Sequence, residues 1–371
     1  MTKDTQFEIL LVGTPGLEAE LLAEAKHLKF ANPKQITGGV TFEGGWPDVW
    51  RANLQVRGSS RVLARIGSFH VGHLAQLDKL AHAFAWKKFL RHDIAVSVEA
   101  VCKKSKIYHS GAATQRIETA IKDVVGTTID KNAPLAIKAR IEKDLCTISI
   151  DTSGEMLHKR GHKEAVAKAP MRETLASLML RRCGFDGHEP LLDPMCGSGT
   201  FVIEAAEIAA NLMPGRSRDF AFKDIKSFDP TVWEQLKLLN QQQNSAHKFY
   251  GSDRDAGAIK AATANAERAG VQSSTAFSQK PISDLIRPEG PPGLVMVNPP
   301  YGLRIGDKKP LFALYETLGQ VLQKRFKGWR IGLVTADTSL AKATRLPFGT
   351  SEKPILHGGL SVHLFHTQPL E

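Results

Sequence analysis

The sequence predicts an α/β chain: a doubly wound, largely parallel sheet in the C-terminal half, preceded by two small α+β units. Three observations carry this. From Ala169 onward, helix-period and strand-period segments alternate, the pattern of a parallel sheet covered by helices on both faces. Residues 1–60 run β-α-β-α. A glycine-rich turn, Asp193 to Thr200, lies between a strand and a helix.

Phe7 to Val12 is an apolar, β-rich run closed by Gly13. Pro15-Gly16 opens a helix with Leu17, Leu21, Leu22, Ala25 and Leu28 on one face. Gly39 to Glu43 is a short strand between glycine pairs, followed by a helix bearing Trp46, Val49, Trp50 and Leu54. A second unit starts near Arg61. Val62 to Ile66 alternates as a strand, Leu74 to Trp86 is helical, Asp93 to Cys102 alternates again, and Ala112 to Val125 is a helix. Residues 137–141 and 146–150 form a hairpin across Lys143-Asp144. Leu157 to Lys163 is too polar for a core and reads as a basic connector.

In the C-terminal half, helix Met171–Cys183 precedes strand Pro190–Leu192 and helix Thr200–Asn211. Strand Tyr250–Asp253, helix Ala256–Ala269, strand Leu294–Val297, helix Leu311–Phe326 and strand Arg330–Thr335 follow.

Composition narrows the function classes. The chain has 371 residues, 42% hydrophobic and 23% charged, an ordinary globular balance that excludes a largely disordered, collagen-like or coiled-coil protein. No apolar run approaches the ~18 residues of a membrane span, and the first residues show no secretory signal. Cys102, Cys146, Cys183 and Cys196 are scattered with no CxxC, so neither zinc nor a disulfide framework is indicated and a reducing cytoplasm fits. His70, His73, His158 and His162 make no metal spacing with them and read as solvated or RNA-facing. The net charge is +11, and it is uneven. Residues 51–160 carry 19 basic and 10 acidic side chains, a local +9, which is the electrostatic footprint of a phosphate backbone.

Two motifs carry chemistry. In Asp193-Pro194-Met195-Cys196-Gly197-Ser198-Gly199-Thr200, Gly197 and Gly199 can take positive φ and let a ligand approach the backbone. No Lys follows Gly199, so this is not a nucleotide-triphosphate loop, and no third glycine completes a dinucleotide fingerprint. A cofactor without phosphates suits it, with Asp193 accepting from a ligand ammonium. Asp253 ends the next strand, where an acid holds ribose hydroxyls in doubly wound sheets. The 60-residue spacing between the two acids implies an insertion, roughly Leu212 to His247. Asn298-Pro299-Pro300-Tyr301-Gly302 follows the third strand at the sheet's carboxyl edge. The Asn298 oxygen and the Pro299 carbonyl can each accept one N–H of an exocyclic amine, and Tyr301 can stack on its ring. Cys196 reads as a neutral contact, since no base lies near it in sequence.

These residues resemble the class I S-adenosylmethionine-dependent methyltransferases of exocyclic amines. More narrowly, the chain is similar to the THUMP-domain RNA guanine-N2 methyltransferases, which include bacterial 23S ribosomal RNA and transfer RNA enzymes. The resemblance rests on Asp151 to Gly154, Leu157 to Gly161, Ala169 to Leu175, Asp193 to Thr200, Pro214-Gly215-Arg216, Gly251-Ser252-Asp253, Asn265-Ala266 and Asn298 to Gly302, with Lys103-Lys104-Ser105-Lys106 nearer the N-terminus.

It implies a ferredoxin-like unit at 1–60, an RNA-binding THUMP domain at 61–155, a basic linker at 156–168 and a Rossmann-like methyltransferase domain at 169–371. It implies S-adenosylmethionine held by Asp193, Pro194, Cys196, Gly197, Ser198, Gly199, Thr200, Asp253 and Arg254. Asn298, Pro299, Pro300 and Tyr301 would hold the target base, and Lys103, Lys104, Lys106, Arg160 and Lys163 would contact RNA. Many relatives carry an acid for the adenine amine shortly before position 284. Here Gln279 to Ser283 offers none, leaving Asp284 or a backbone carbonyl. The reaction implied is methylation of guanosine N2 in RNA, with ribosomal RNA ahead of transfer RNA. DNA adenine-N6 methylation and a non-catalytic RNA-binding role are the alternatives.

Overall fold

The computed structural model describes residues 6–164, 171–239, 241–301, 309–349, 353–357 and 359–371. The chain divides into two compact units. One comprises Met1–Gly13, Leu21–Leu157 and Arg218–Leu239; the other comprises Thr14–Glu20, His158–Ser217 and Asn240–Glu371. Ala169, Pro170 and Gly302, which belong to the resemblance above, lie outside the described residues, as does the end of the expected linker. No helix among the described residues is long and apolar enough to cross a membrane.

In chain order the elements are β1 (Phe7–Val12), α1 (Glu18–His27), β2 (Lys34–Ile36), β3 (Gly39–Gly44), α2 (Trp46–Gln55), β4 (Arg61–His70), α3 (Leu74–Ala83), β5 (Ser97–Lys103), α4 (Ser110–Val125), β6 (Ala136–Glu142) and β7 (Leu145–Asp151). They continue with α5 (Glu173–Arg182), β8 (Leu191–Asp193), α6 (Thr200–Ala209), α7 (Pro230–Leu238), β9 (Phe249–Asp253), α8 (Ala256–Arg268), β10 (Thr275–Gln279) and β11 (Leu294–Val297). The last are α9 (Lys309–Arg325), β12 (Arg330–Thr335), α10 (Thr338–Ala343), β13 (Ile355–His357) and β14 (Leu360–His366).

The first unit is built on a seven-stranded sheet ordered β2-β3-β1-β4-β7-β6-β5. β4 pairs antiparallel with β1 on one side and with β7 on the other. The two small units foreseen at the N-terminus therefore share one sheet through β4. Alternation explains its core: Ile9, Leu11, Val62, Ala64, Ile137, Ile141, Ile148 and Ile150 are buried, while their neighbours on β1, β4 and β6 are more exposed; on β7 Ser149 and Asp151 are buried as well. The segment Arg218–Leu239 also belongs here, although sequence order sets it inside the C-terminal half. Phe222 lies 6.2 Å from Trp50 and 5.1 Å from Trp233, ring centre to ring centre. The Phe222 amide donates to the Thr152 carbonyl at 3.0 Å.

The second unit is built on a seven-stranded sheet ordered β10-β9-β8-β11-β12-β14-β13. Strands β10 to β12 in that order are parallel, and β14 returns antiparallel to β12. The near-continuous apolar runs of β11 and β12 fit strands covered on both faces. A core of Val295, Val297, Tyr315, Leu318, Leu322, Phe326, Trp329, Ile331 and Leu333 packs on one face. Sheet order reverses at β8, which neighbours both β9 and β11. In open α/β sheets ligands bind beyond the strand carboxyl ends at such a switch point.

Candidate cofactor and target-base site

The turn after β8 is wound by its two glycines. Gly197 has φ +51° and Gly199 φ +85°, the latter ending the turn as the residue that caps α6. A side chain at Gly199 would crowd Ala262 at 3.1 Å, and one at Gly251 would lie 2.6 Å from the Phe277 ring. At Gly197 a Cβ would meet nothing within 4 Å, so the bare backbone there faces open space.

Backbone groups then tie the turn to β9. The Cys196 amide donates to the Ser252 carbonyl at 2.9 Å, and the Gly197 amide donates to Asp253 Oδ2 at 3.0 Å. Asp253 Oδ1 accepts from the Asp255 amide at 3.0 Å. Each carboxylate oxygen has a second lone-pair direction, so a half-buried Asp253 can still accept from ligand hydroxyls. Asn265, a buried amide in alanine-rich α8, donates from Nδ2 to the Ser198 carbonyl at 3.1 Å. Asn265 was legible only as part of a motif, though a polar residue inside an alanine run is the signal that marks it.

Asp193 is 2% exposed. Its Oδ1 accepts from the Met195 amide at 3.0 Å. Burial, with the nearby Asp253 charge, pushes its carboxyl up to about 8. A buried carboxylate of this kind is stabilised by an incoming cation, which suits a ligand ammonium. Cys196 is buried and its thiol is pushed far up, first by desolvation and then by the charges of Asp193 and Asp253. It therefore stays a neutral thiol, as the sequence predicts. Asp284 is exposed in a single 3-10 turn after β10 and accepts from the Ser283 hydroxyl at 3.0 Å; Arg254 is exposed, and its carbonyl accepts from Gln279 at 3.1 Å.

Across the switch point, the loop after β11 presents Asn298. Its Oδ1 is buried and has no hydrogen-bond partner among the described residues. Leaving such an acceptor unpaired costs about 1–3 kcal/mol, so the position asks for a donor. Pro299 is buried, Pro300 exposed and Tyr301 half-buried against the core that contains Tyr315 and Leu318. Burial raises the Tyr301 hydroxyl's pKa, leaving the ring neutral. Ser252 Oγ, to which the sequence assigns no role, is a second buried oxygen without a hydrogen-bond partner among the described residues.

The segment before α5 corrects the sequence reading. Arg160 is 2% exposed and its Nε donates to Glu204 at 3.1 Å. Lys163 Nζ donates to Thr200 Oγ1 at 2.8 Å and to the Met171 carbonyl at 2.9 Å, and pairs with Glu173 at 3.0 Å. Arg160 and Lys163 therefore do not face RNA; their charges are spent on the acids of α5 and α6. His162, expected to be solvated or RNA-facing, is also buried, and desolvation lowers its pKa despite Glu207 and Glu204 nearby. A solvated basic connector fails here because buried glutamates were waiting for it. The other predicted RNA residues, Lys103, Lys104 and Lys106, are exposed in the first unit. No cluster of His, Cys, Asp or Glu among the described residues has the form of a metal site.

Comparison with known proteins finds similarity along most of the chain. Residues 160–364 match the family model of the RMKL-like methyltransferase domain. Residues 8–63 match the RlmL ferredoxin-like domain, and residues 72–151 the THUMP domain. A curated relative from Psychromonas ingrahamii, ribosomal RNA large subunit methyltransferase K/L, is 35% identical over 353 residues, covering 91% of this chain and 47% of the relative. The chain spans about half the length of the curated relatives it matches. Among solved structures, SMU.472, described as a putative methyltransferase complexed with SAH, superposes with a TM-score of 0.89 at 26% identity, covering 100% of both chains. A protein described as a predicted N6-adenine-specific DNA methylase from Listeria monocytogenes superposes at 0.88 with 28% identity, covering 98% of this chain and 97% of that one.

Proposed function

This chain belongs to the RMKL-like methyltransferase family, and from that premise we propose that it methylates the exocyclic N2 amine of a guanosine in RNA, with 23S ribosomal RNA as the substrate. The observation that carries the reading is the orphaned, buried Asn298 Oδ1 at the switch point, opposite the glycine turn. S-adenosylmethionine suits the turn: Gly197 leaves open space for it, and Asp193 offers a buried carboxylate to its ammonium. Bound there, it supplies an electrophilic methyl on sulfonium.

The chain's own residues do the rest by positioning. Asn298 Oδ1 accepts one amine N–H and the Pro299 carbonyl the other, which aims the nitrogen lone pair at the methyl. Tyr301 stacks on the base. No strong base is needed, because the amine becomes acidic only as it gains the methyl group. The buried, neutral Cys196 thiol takes no covalent part.

The THUMP match and the ribosomal RNA relative support RNA as substrate. The Listeria neighbour's description keeps adenine in DNA as the second reading, since the same loop accepts any planar amine. Transfer of labelled methyl to total RNA and to DNA, followed by nucleoside digestion, separates them. N2-methylguanosine is expected; N6-methyladenosine from DNA would overturn the reading. Asn298→Ala is expected to abolish transfer while cofactor affinity holds, and undiminished transfer in that variant removes the central contact. Ribosomal RNA and transfer RNA from a deletion strain, mapped for missing methylguanosine, distinguish the two RNA substrates.

A further inference from the structure

The β5–α4 loop reads Lys103-Lys104-Ser105-Lys106-Ile107-Tyr108-His109. It is held stiffly. The Lys106 amide donates to Asp144 Oδ1 at 2.7 Å, and the Asp144 amide donates to Ser105 Oγ at 3.0 Å. Ser105 Oγ in turn donates to the Lys103 carbonyl at 3.0 Å. The loop thus interlocks with the β6–β7 turn, where Lys143 and Asp144 both take positive φ, as Lys104 does in the loop itself. Ile107 is buried and pins the far end, and His109 caps α4, its Nδ1 accepting from the Ala112 amide at 3.1 Å.

Between these two anchors the Tyr108 side chain is 85% exposed. An apolar residue just before a helix cap commonly packs on the fourth helical residue. Here that residue is Ala113, which is fully buried, while Tyr108 stands out in solvent. The fold gives the ring no task. Its setting gives it one. Among the described residues Lys104 and Lys106 make no ion pair, whereas on the adjoining strands Lys138 pairs with Glu99, Arg140 with Glu142, and Lys103 lies 4.0 Å from Glu142. The loop that displays the aromatic face therefore carries two lysines that no acid among the described residues neutralises.

We propose that Tyr108 is a stacking platform for an unpaired base of single-stranded RNA, with Lys104 and Lys106 taking the neighbouring phosphates. The inference rests on the reading of RNA as substrate and adds to it a strandedness and a contact residue. A rigid ring loses little entropy on stacking, and every base offers a π-face, so the contact is tolerant of sequence. A protein partner would need apolar area around the ring. Lys106 and His109 are polar and Ile107 is turned inward.

The test is fluorescence anisotropy with the full chain and a labelled oligouridine of about 12 nucleotides, within the usual single-strand site sizes, beside a duplex RNA of the same length. Tyr108→Ala is expected to weaken single-strand binding about tenfold, with the salt dependence and the thermal midpoint unchanged. Tyr108→Trp should restore binding, and duplex binding should not move. A 2-aminopurine base in the oligonucleotide should be quenched by the wild type and not by Tyr108→Ala. Equal binding by Tyr108→Ala, failure of Tyr108→Trp to restore it, or a parallel loss on duplex RNA overturns the inference while leaving the RNA reading standing. A wild type that binds neither RNA overturns both.

Discussion

The amide of Gly197 donates to Asp253 Oδ2 at 3.0 Å, so the glycine turn and the acid at the end of β9 are one device rather than two. Spacing of 60 residues hides this in the sequence. Asp253 both fixes the turn and offers its remaining lone pairs outward. Asp253→Ala is therefore expected to loosen the turn as well as remove a ligand contact. Hydrogen bonds to a charged group contribute about 1.5–3 kcal/mol, so S-adenosylmethionine affinity should fall by roughly 10- to 100-fold by calorimetry. Asp253→Asn, which keeps an acceptor for Gly197, should lose less. Equal losses would mean that charge, not turn geometry, dominates.

The buried Asp193 makes the ligand-free protein pH-sensitive. Burial raises its folded pKa to about 8, far above the ordinary carboxylate range. The folded state therefore binds the proton more tightly than the unfolded state. Stability from this group is fully present below the unfolded value and is lost as pH rises through the folded one. A ligand ammonium favours the opposite, ionised form. Cofactor affinity is accordingly expected to rise from about pH 6 to about pH 8, with proton release on binding. Titration in buffers of different ionisation enthalpy reads that proton directly. Asp193→Asn should raise the thermal midpoint most at alkaline pH and abolish proton release.

Arg160 and Glu204 form an ion pair with side chains 2% and 1% exposed. Removing one partner from such a pair strands a buried charge, at a cost of about 3–5 kcal/mol. Arg160→Ala should lower unfolding stability by that amount in urea titrations. Arg160→Met with Glu204→Leu should recover most of it, because neither charge is then left alone. A fully stable Arg160→Ala with weakened RNA binding would restore the surface role that the sequence suggested.

What was legible in the sequence follows from range. β8, β11 and β12 are marked by local apolar runs and β9 by the Phe249-Tyr250 pair before its acid, and the two motifs sit at strand ends where local pattern is strongest. The acceptor at Asn298 was readable because two prolines fix the loop around it. The fate of Arg160 and Lys163 was not. Their basic run looks the same whether it faces water or Glu173 and Glu204, and only the fold decides. β10, β13 and β14 escaped for a related reason. β10 carries three polar residues in five, and the β13–β14 hairpin departs from the alternating βα rhythm that identified the rest. β4's double pairing is likewise a long-range fact, visible only once β1 and β7 lie beside it.

Charge at the β5–α4 loop is unequal in its expected effect. Lys103 lies 4.0 Å from Glu142, while Lys104 and Lys106 are exposed and make no ion pair among the described residues. Each phosphate neutralised on a single strand contributes about −0.7 to the slope of log affinity against log salt. Lys104→Ala with Lys106→Ala should therefore flatten the slope by roughly 1.4. Lys103→Ala alone should change it less. Cofactor affinity should be indifferent to all three, and a parallel fall would show that the two units do not divide the labour.

The last prediction concerns Arg218–Leu239, which chain order assigns to the C-terminal half and folding assigns to the first unit. The attachment is apolar and polar at once. Phe222 is fully buried, stacks at 5.1 Å on Phe220 and meets the Trp50 ring. Arg218 donates to the carbonyls of Met156 at 2.9 Å and Glu155 at 2.6 Å. Truncating a buried phenylalanine costs about 3–5 kcal/mol through lost contacts and the cavity left behind. Phe222→Ala should therefore speed amide exchange in β4 and β7, since those strands share its unit. Exchange in β8 and β11, and S-adenosylmethionine affinity, should hold near the wild-type values. Faster exchange in β8 with β4 unchanged would return the segment to the methyltransferase domain.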